Sequence, residues 1–507
     1  MKKVVLLINP SHDREGEQIH SSPHRVHRDI PPMSILTLGS YLRQKGVDVI
    51  IFDTHIDSHY SETLAEYFKQ FEIILVGMTT FVGRFIHNAI ELGNIIKGLK
   101  PEVPIVWGGP LVSTLPEKCL REGNADYVVL YEGEMPLYLL AQALTERKPV
   151  DGIPNLGYRK NGELRFTRVD YAAERYDGII RWDLLSNPMN RQQIPYVAYL
   201  FTSRGCPYSC SFCYHLMDSN SRIIKKYACR SAEQVLEEID FLRDRYQINV
   251  VSFGDDNFLA EKKRVLKILE GVRKRGLYIE QCVGTFSDLN EEVIEALSGI
   301  CQTVICSIET ASERLSKFIK KPINLRTVDP TVQKLADHGI NTYHNFMFGL
   351  PGETDEDRKR AVDLGIGLKK INAYVRLIPS FFTPLPGTPI YCYLETSMGI
   401  SVNKSLKEWG DCEFIGCPDS YKFRPWISAE EQSFLAQMID LFRDFFVSLN
   451  SPVNNGQKAR IESYPRLRYI FQNMDKVAYP PDGNPKYLLD KILGGDAIGA
   501  IEGIPAN

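Results

Sequence analysis

Residues 196–213 read YVAYLFTSRGCPYSCSFC, an apolar, strand-like run that passes directly into a loop with Cys206, Cys210 and Cys213. Thiolates at this spacing on one short loop can converge on three corners of a cubane cluster. A closed structural zinc site or an electron-transfer cluster wants four ligands. Three thiolates leave one iron open to bind something that reacts, and no later cysteine stands where an obvious fourth ligand should be. Outward from this loop, from Tyr196 to about Pro389, apolar runs alternate with amphipathic stretches. Strands are predicted at Tyr196–Thr202, Val250–Phe253, Glu280–Val283, Thr303–Ser307, Thr342–Phe348 and Tyr374–Pro379. Helices are predicted at Ala232–Arg245, Glu261–Arg275, Glu291–Leu297, Val328–His338 and Glu356–Lys370. Six βα repeats fit an open or closed barrel as well as a flat sheet. In a barrel, chemistry gathers at the strand carboxyl ends, where the cysteine loop falls.

Residues 1–145 repeat the alternation. Strands are expected at Val4–Ile8, Val47–Phe52, Ile73–Val76, Ile105–Trp107 and Tyr127–Leu130, with helices such as Ser34–Lys45 and Phe85–Lys97 between them. Fully apolar strands of this kind belong to a parallel sheet covered on both faces. The expectation is a doubly wound, Rossmann-like domain whose ligand lies beyond the carboxyl ends of its strands. Several strands end there in small or polar residues: Gly77-Met78-Thr79-Thr80, Gly108-Gly109-Pro110 and Glu132-Gly133-Glu134. Neither G-x-G-x-x-G nor a P-loop occurs, which argues against dinucleotide and nucleoside triphosphate ligands. Residues 146–194 read as a connector with a hairpin, 195–390 as the barrel, and 391–507 as a mainly helical C-terminal segment with one amphipathic helix over 429–449. This last segment is expected to cover the substrate.

The chain has 507 residues, 44% hydrophobic and 24% charged, with a formal charge of −3. A phosphate-tracking protein normally carries a basic excess, so nucleic acid is not an expected partner. No apolar run is long enough to span a membrane, and the N-terminal Val4–Ile8 run reads as a buried strand rather than a signal peptide. Eleven cysteines without a regular pairing framework point to a reducing cytoplasm.

With these motifs in place, the chain resembles cobalamin-dependent radical S-adenosylmethionine (SAM) enzymes. The C-x3-C-x2-C loop with aromatic Phe212 is that family's signature. Gly254-Asp255-Asp256 resembles the stretch that meets the methionine amino group of SAM. Ser307-Ile308-Glu309-Thr310, followed by Leu315 and Lys320, resembles the "GIES…L…K" pattern. Phe348-Gly349-Leu350-Pro351-Gly352-Glu353-Thr354 and Pro384–Pro389 match later signatures of the cobalamin-dependent branch. Pro31-Pro32, Gly46, Gly108-Gly109-Pro110, Pro116-Glu117 and Tyr131-Glu132-Gly133-Glu134 resemble cobalamin domains fused to radical enzymes. The D-x-H-x-x-G motif that supplies a cobalt-ligating histidine elsewhere is missing. The position after the first strand reads Asn9-Pro10-Ser11-His12-Asp13, and Asp53-Thr54-His55 imitates the motif only in part. The resemblance therefore implies cobalt without a histidine lower ligand.

The resemblance further implies a (β/α)6 partial TIM barrel, a [4Fe-4S] cluster on Cys206, Cys210 and Cys213, SAM, and cobalamin. It implies SAM contacts at Phe212, Gly254, Asp255, Asp256, Ser307, Glu309, Gly349 and Glu353. Cobalamin contacts would fall at Thr79, Thr80, Phe81, Gly108, Gly109, Pro110, Tyr131, Glu132 and Gly133. The free iron chelates SAM, whose reductive cleavage gives a 5′-deoxyadenosyl radical, and methylcobalamin can then methylate a substrate radical at an unactivated carbon or a phosphinate phosphorus. A small-molecule substrate and an electron donor such as flavodoxin or ferredoxin follow from that chemistry. Radical cyclisation, oxidation or ring rearrangement, and a non-catalytic cluster or cobalamin sensor, are the alternatives. Several residues have plainer readings beside the functional one. The cysteine loop could hold zinc with a distant ligand such as His215, although the cofactor-like strand ends that accompany it argue otherwise. Gly108-Gly109 could be a tight turn, and Phe81 reads first as core packing. Asp53 and His55 read as a strand-end cap and a surface histidine, and Cys392, Cys412 and Cys417 as small core residues. Tyr214 and His215 either pack near the adenine or cover the barrel mouth.

Overall fold

The computed structural model describes residues 1–11, 15, 31–57, 59–171, 176–185, 197–213, 227–372, 374–401, 403–412, 423–429, 431–432, 435–436 and 439. They form two compact units, one from residues 1–199, 212–250 and 385–413, the other from 200–211, 251–384 and 414–507. Tyr214, His215, Cys417 and most of the helix expected over 429–449 lie outside the described residues.

The first unit is built on a seven-stranded sheet. Its strands are β1 (Lys2–Asn9), β2 (Val49–Asp53), β3 (Phe71–Thr79), β4 (Ile105–Gly108), β5 (Tyr127–Val129), β6 (Leu156–Lys160) and β7 (Glu163–Phe166), in the order β2-β1-β3-β4-β5-β6-β7. β1 to β5 run parallel, and the β6–β7 hairpin adds antiparallel to β5. Val4–Ile8 are all buried, as a strand between two helical layers must be. Each such aliphatic side chain removed from water contributes about 1.5–3 kcal/mol. Helices Met33–Gln44, Tyr60–Gln70, Phe85–Leu99 and Glu134–Glu146 cover the faces, each turning an apolar stripe inward. The strand order reverses between β1 and β3, so the connections leaving their carboxyl ends turn to opposite faces of the sheet, the place where folds of this kind bind their ligands.

A later segment returns to this unit. Helix Leu406–Gly410 starts with a capping box between Ser405 and Glu408 and buries Leu406 and Trp409. The Gly83 N–H donates to the Trp409 carbonyl at 2.9 Å, and His87 Nε2 lies 2.7 Å from Asp411 Oδ1.

The second sheet holds six strands in the order β15-β14-β13-β12-β11-β8. Its members are β8 (Val197–Leu200), β11 (Val250–Phe253), β12 (Tyr278–Val283), β13 (Cys301–Ile305), β14 (Asn341–Phe348) and β15 (Arg376–Phe381). The two-residue strands β9 (Ser203–Arg204) and β10 (Ala228–Cys229) stand outside it. Strands in sequential order joined by right-handed crossovers carry all their helices on one face, as in a barrel rather than a doubly wound sheet, and the edges β8 and β15 leave that barrel open. Helices Ala232–Tyr246, Lys262–Lys274, Glu291–Leu297, Val328–Asp337 and Asp355–Ile371 alternate with the strands. Asp355–Ile371 begins with a capping box between Thr354 and Asp357, and its start fixes where the preceding glycine-rich loop ends. The ten cysteines among the described residues are free of disulfides. No helix among those residues is long and apolar enough to cross a membrane.

Candidate cofactor sites

Register lines up the carboxyl ends of the first sheet: Asn9 pairs with Asp53, and Thr79 with Gly108. Asn9 Nδ2 donates to Asp53 Oδ1 at 3.0 Å, and His55 Nδ1 sits 2.9 Å from the same oxygen. His55 is buried, which corrects its expected surface position: the carboxylate draws the ring in beneath the sheet edge. Asp53 Oδ2 is buried and has no hydrogen-bond partner among the described residues.

Beside this group, the Thr80 N–H and hydroxyl donate to the Gly108 carbonyl at 2.8 and 3.1 Å. Gly109 adopts φ +99, and a Cβ there would lie 2.7 Å from the Thr80 carbonyl oxygen and 3.0 Å from Thr79 Oγ1. Close backbone approach makes glycine necessary here, not merely convenient for a turn. Pro110 opens the short helix Pro110–Thr114. Its Ser113 hydroxyl accepts the Tyr131 N–H at 2.9 Å, and Tyr131 is itself left-handed at φ +60. The edge thus gathers Thr79, Thr80, Gly108, Gly109 and Pro110, with Tyr131 tied in through Ser113. Phe81 is half-buried, as are Glu132 and Gly133, which lead into helix Glu134–Glu146. A glycine cradle, short polar side chains and a buried carboxylate oxygen fit a large, amide-rich cofactor such as cobalamin.

In the second unit, the cysteine loop up to Ser211 is fastened at three points. Asp255 is fully buried, and its carboxylate accepts the Thr202 N–H at 3.1 Å and the Thr202 hydroxyl at 2.9 Å, together with the Ser203 hydroxyl. Burial pushes the Asp255 carboxyl up, against the pull of these donors. Tyr208, between the first two cysteines, donates to Asp288 Oδ1 at 2.8 Å, and Asn257 donates to the other oxygen of Asp288 at 2.9 Å. The Ser211 N–H donates to the Ile319 carbonyl at 2.8 Å. The loop is therefore held by the segments that follow β11, β12 and β13.

Cys206 and Cys210 are half-buried, as are Phe212 and Cys213 just beyond. Burial pushes the Cys210 thiol up to about 11, while the Lys321 ammonium pulls it back. Among the described residues no group of three His, Cys, Asp or Glu side chains is already arranged to hold a metal ion. The fit to a cluster lies in the donor chemistry: three undisulfided thiols on one short loop.

Glu309 lies just past β13 at φ +69, with its N–H donated to the Asn345 carbonyl and its own carbonyl accepting the Met347 N–H. Its carboxylate pairs with Lys321 at 3.2 Å. Ser307 accepts from Asn345 at 3.0 Å. Gly254 donates its N–H to the Leu200 carbonyl at 2.9 Å, and a Cβ there would press on the Phe201 ring at 3.0 Å. Asp256, next in line, is half-buried. Gly349 adopts φ +83 and donates its N–H to Glu353 at 2.7 Å. Burial pushes the Glu353 carboxyl up to about 7 even though Arg358 Nε lies 3.2 Å away. Asp255 is thus occupied in holding the start of the cysteine loop, and Glu353 in holding its own loop. Tyr208, Phe201 and Lys321 escaped the sequence reading, because a single aromatic or lysine carries no spacing signal.

An open barrel with a three-thiolate loop after its first strand, in one chain with a doubly wound domain, defines a radical enzyme equipped with a second cofactor domain. Comparison with known proteins agrees. The radical SAM superfamily model matches residues 200–365, and the B12 binding domain model matches residues 24–141. An uncharacterized methyltransferase of Pyrococcus horikoshii is 31% identical over 371 residues, covering 72% of this chain and 78% of that protein. An anaerobic magnesium-protoporphyrin IX monomethyl ester cyclase of Rubrivivax gelatinosus is 26% identical, over 69% of this chain and 63% of its own length. The solved structure of the cobalamin-dependent SAM radical enzyme OxsB, with aqua-cobalamin and SAM bound, shares the fold at TM-score 0.69 and 16% identity, covering 99% of this chain and 79% of that one. The chain belongs to the cobalamin-dependent radical SAM enzymes, and its cofactors are a [4Fe-4S] cluster, SAM and cobalamin.

Proposed function

We propose that this enzyme methylates an unactivated carbon, or a phosphinate phosphorus, of a small-molecule substrate. The observation that carries this reading is one chain's combination of a loop offering only three thiolates with a glycine-cradled edge on its cobalamin-binding sheet. The resemblance to a relative named as a methyltransferase supports it. When bound, the cofactors supply homolytic cleavage of SAM and a transferable methyl group, while the protein supplies orientation, electronic tuning and exclusion of water.

In this reading Cys206, Cys210 and Cys213 ligate the cluster. Phe212, Gly254, Asp256, Ser307, Glu309 and Gly349 contact SAM, with Glu353 holding the Gly349 backbone and Asp255 holding the start of the cysteine loop. Thr79, Thr80, Phe81, Gly108, Gly109, Pro110, Tyr131, Glu132 and Gly133 line the cobalamin edge. The working domains are 1–145 for cobalamin, 146–194 as connector, 195–390 as barrel and 391–507 over the substrate. A flavodoxin or ferredoxin supplies electrons.

Anaerobic incubation of the reconstituted enzyme with SAM, reductant and candidate substrates tests the proposal. Both 5′-deoxyadenosine and S-adenosylhomocysteine should form in a substrate-dependent manner. 5′-Deoxyadenosine with no S-adenosylhomocysteine under any substrate would favour the second reading, a radical cyclase or oxidase. That reading is supported by the similarity to the magnesium-protoporphyrin cyclase.

A further inference from the structure

Two non-glycine residues of the first unit hold left-handed backbone at linked points, Tyr131 at φ +60 and Asn155 at φ +58. Asparagine adopts this conformation readily, but a bulky tyrosine does so at a cost that its surroundings must sustain. The link is the Leu130 N–H, which donates to the Asn155 carbonyl at 2.9 Å. Asn155 is fully buried, and its remaining polar groups all turn to the segment that follows β7. Its N–H donates to the Arg168 carbonyl at 3.1 Å, its Nδ2 donates to the Asp170 carbonyl at 2.9 Å, and its Oδ1 accepts the Asp170 N–H at 2.6 Å. Thr167 adds a further tie: its hydroxyl accepts the Leu156 N–H at 3.0 Å, and its own N–H donates to the Leu156 carbonyl at 2.9 Å.

The clamp delivers one side chain. Tyr171, next after Asp170, sets its ring against that of Tyr131, with centroids 5.1 Å apart and planes at 60°, and stays 37% exposed. Tyr131 is tied in turn through Ser113 to the helix that starts beside the Gly108-Gly109 cradle. Holding a part-exposed ring in one place costs conformational entropy, which a contact on its open side would offset.

We propose that Tyr171 is a cobalamin-contact residue, extending the edge at Tyr131 with an aromatic wall, and that Asn155 is the positioning residue that holds it there. The inference rests on the reading that cobalamin occupies the edge gathered around Gly109 and Tyr131. The rim of a corrin carries both methyl groups and amides, and a tyrosine matches both with an apolar ring and a polar tip. The segment after the β6–β7 hairpin thereby belongs to the cofactor site rather than merely joining two domains.

Titration of full-length, cluster-reconstituted protein with hydroxocobalamin, with bound cofactor measured by equilibrium dialysis, tests this. Tyr171→Ala, a change at a part-exposed position, should raise the Kd about tenfold, and Tyr171→Phe should stay near the parent value. Asn155→Gly keeps the left-handed backbone but removes the clamp, and it should weaken binding as well. The double variant Tyr171→Ala/Asn155→Gly should bind no more weakly than Tyr171→Ala alone, because Asn155 acts through the ring. Additive losses in the double variant would overturn the positioning role of Asn155. Should Asn155→Gly fail to fold, Tyr171→Ala decides the matter. A Tyr171→Ala protein with the parent Kd, where Gly109→Ala binds more weakly, would overturn the inference. If both variants bind as the parent does, the reading of the cobalamin edge falls and takes the inference with it.

Discussion

At Gly109 the chain turns through φ +99 with the Thr80 carbonyl where a methyl group would go. Gly109→Ala should cost about 1–3 kcal/mol of stability, seen in thermal unfolding, and weaken cobalamin binding, seen in the cofactor's visible spectrum. Gly46 is the control: it has φ +83 but nothing within 4 Å, so Gly46→Ala should lower stability without weakening cobalamin binding. His344 illustrates a different constraint. It is fully buried, with Nδ1 2.7 Å from the Cys306 carbonyl and Nε2 2.9 Å from the Thr342 hydroxyl. Burial lowers its pKa to about 4 from 6.5. Between those values the unfolded chain binds the proton and the folded one does not. The contribution to stability is therefore full above about 6.5 and is lost as pH falls toward about 4. His344→Gln should flatten that limb of a denaturation-versus-pH profile; an unchanged slope would contradict the assignment. Cys206, Cys210 and Cys213 were legible because their spacing is itself chemical information. His55 was misread because nothing local announces that Asp53 will draw it into the sheet edge.

Among the elements, the glycine loop after β14 shows how later chain supports a cofactor motif. The Trp426 indole donates to the Gly349 carbonyl at 3.1 Å, Arg424 Nη1 donates to the Phe382 carbonyl at 3.1 Å, and Arg358 joins Glu353 to Glu431. Trp426→Phe removes one hydrogen bond from a half-buried loop, a loss of about 0.5–1.5 kcal/mol. Its expected signature is a raised KM for SAM in 5′-deoxyadenosine formation, with cobalamin binding unchanged. A variant with parent KM would show that the indole only fills space. The strands themselves were readable because each is a short apolar run, and the sequence-based spans fall within a few residues of the observed ones. β11, predicted at Val250–Phe253, is found there. The wedge formed by Arg424 and Trp426 was not readable, since its partners lie more than forty residues away and helical periodicity records only near neighbours.

For the molecule as a whole, periodicity specified alternating strands and helices in both halves but not their spatial order. Open closure of the second sheet depends on which strands pair, and that is set by long-range packing rather than by any one segment. The return of Leu406–Gly410 to helix Phe85–Leu99, through Gly83 and the His87–Asp411 pair, is likewise invisible to local patterns. On the proposed function, three thiolates on one loop leave one iron of a [4Fe-4S] cluster open to SAM. The most direct measurement is Mössbauer and electron paramagnetic resonance spectroscopy of anaerobically reconstituted protein, with and without SAM. A [4Fe-4S] signal should be seen that changes when SAM binds and is lost in Cys213→Ala. Zinc in place of iron, or a Cys213→Ala protein with the parent's signal, would contradict it.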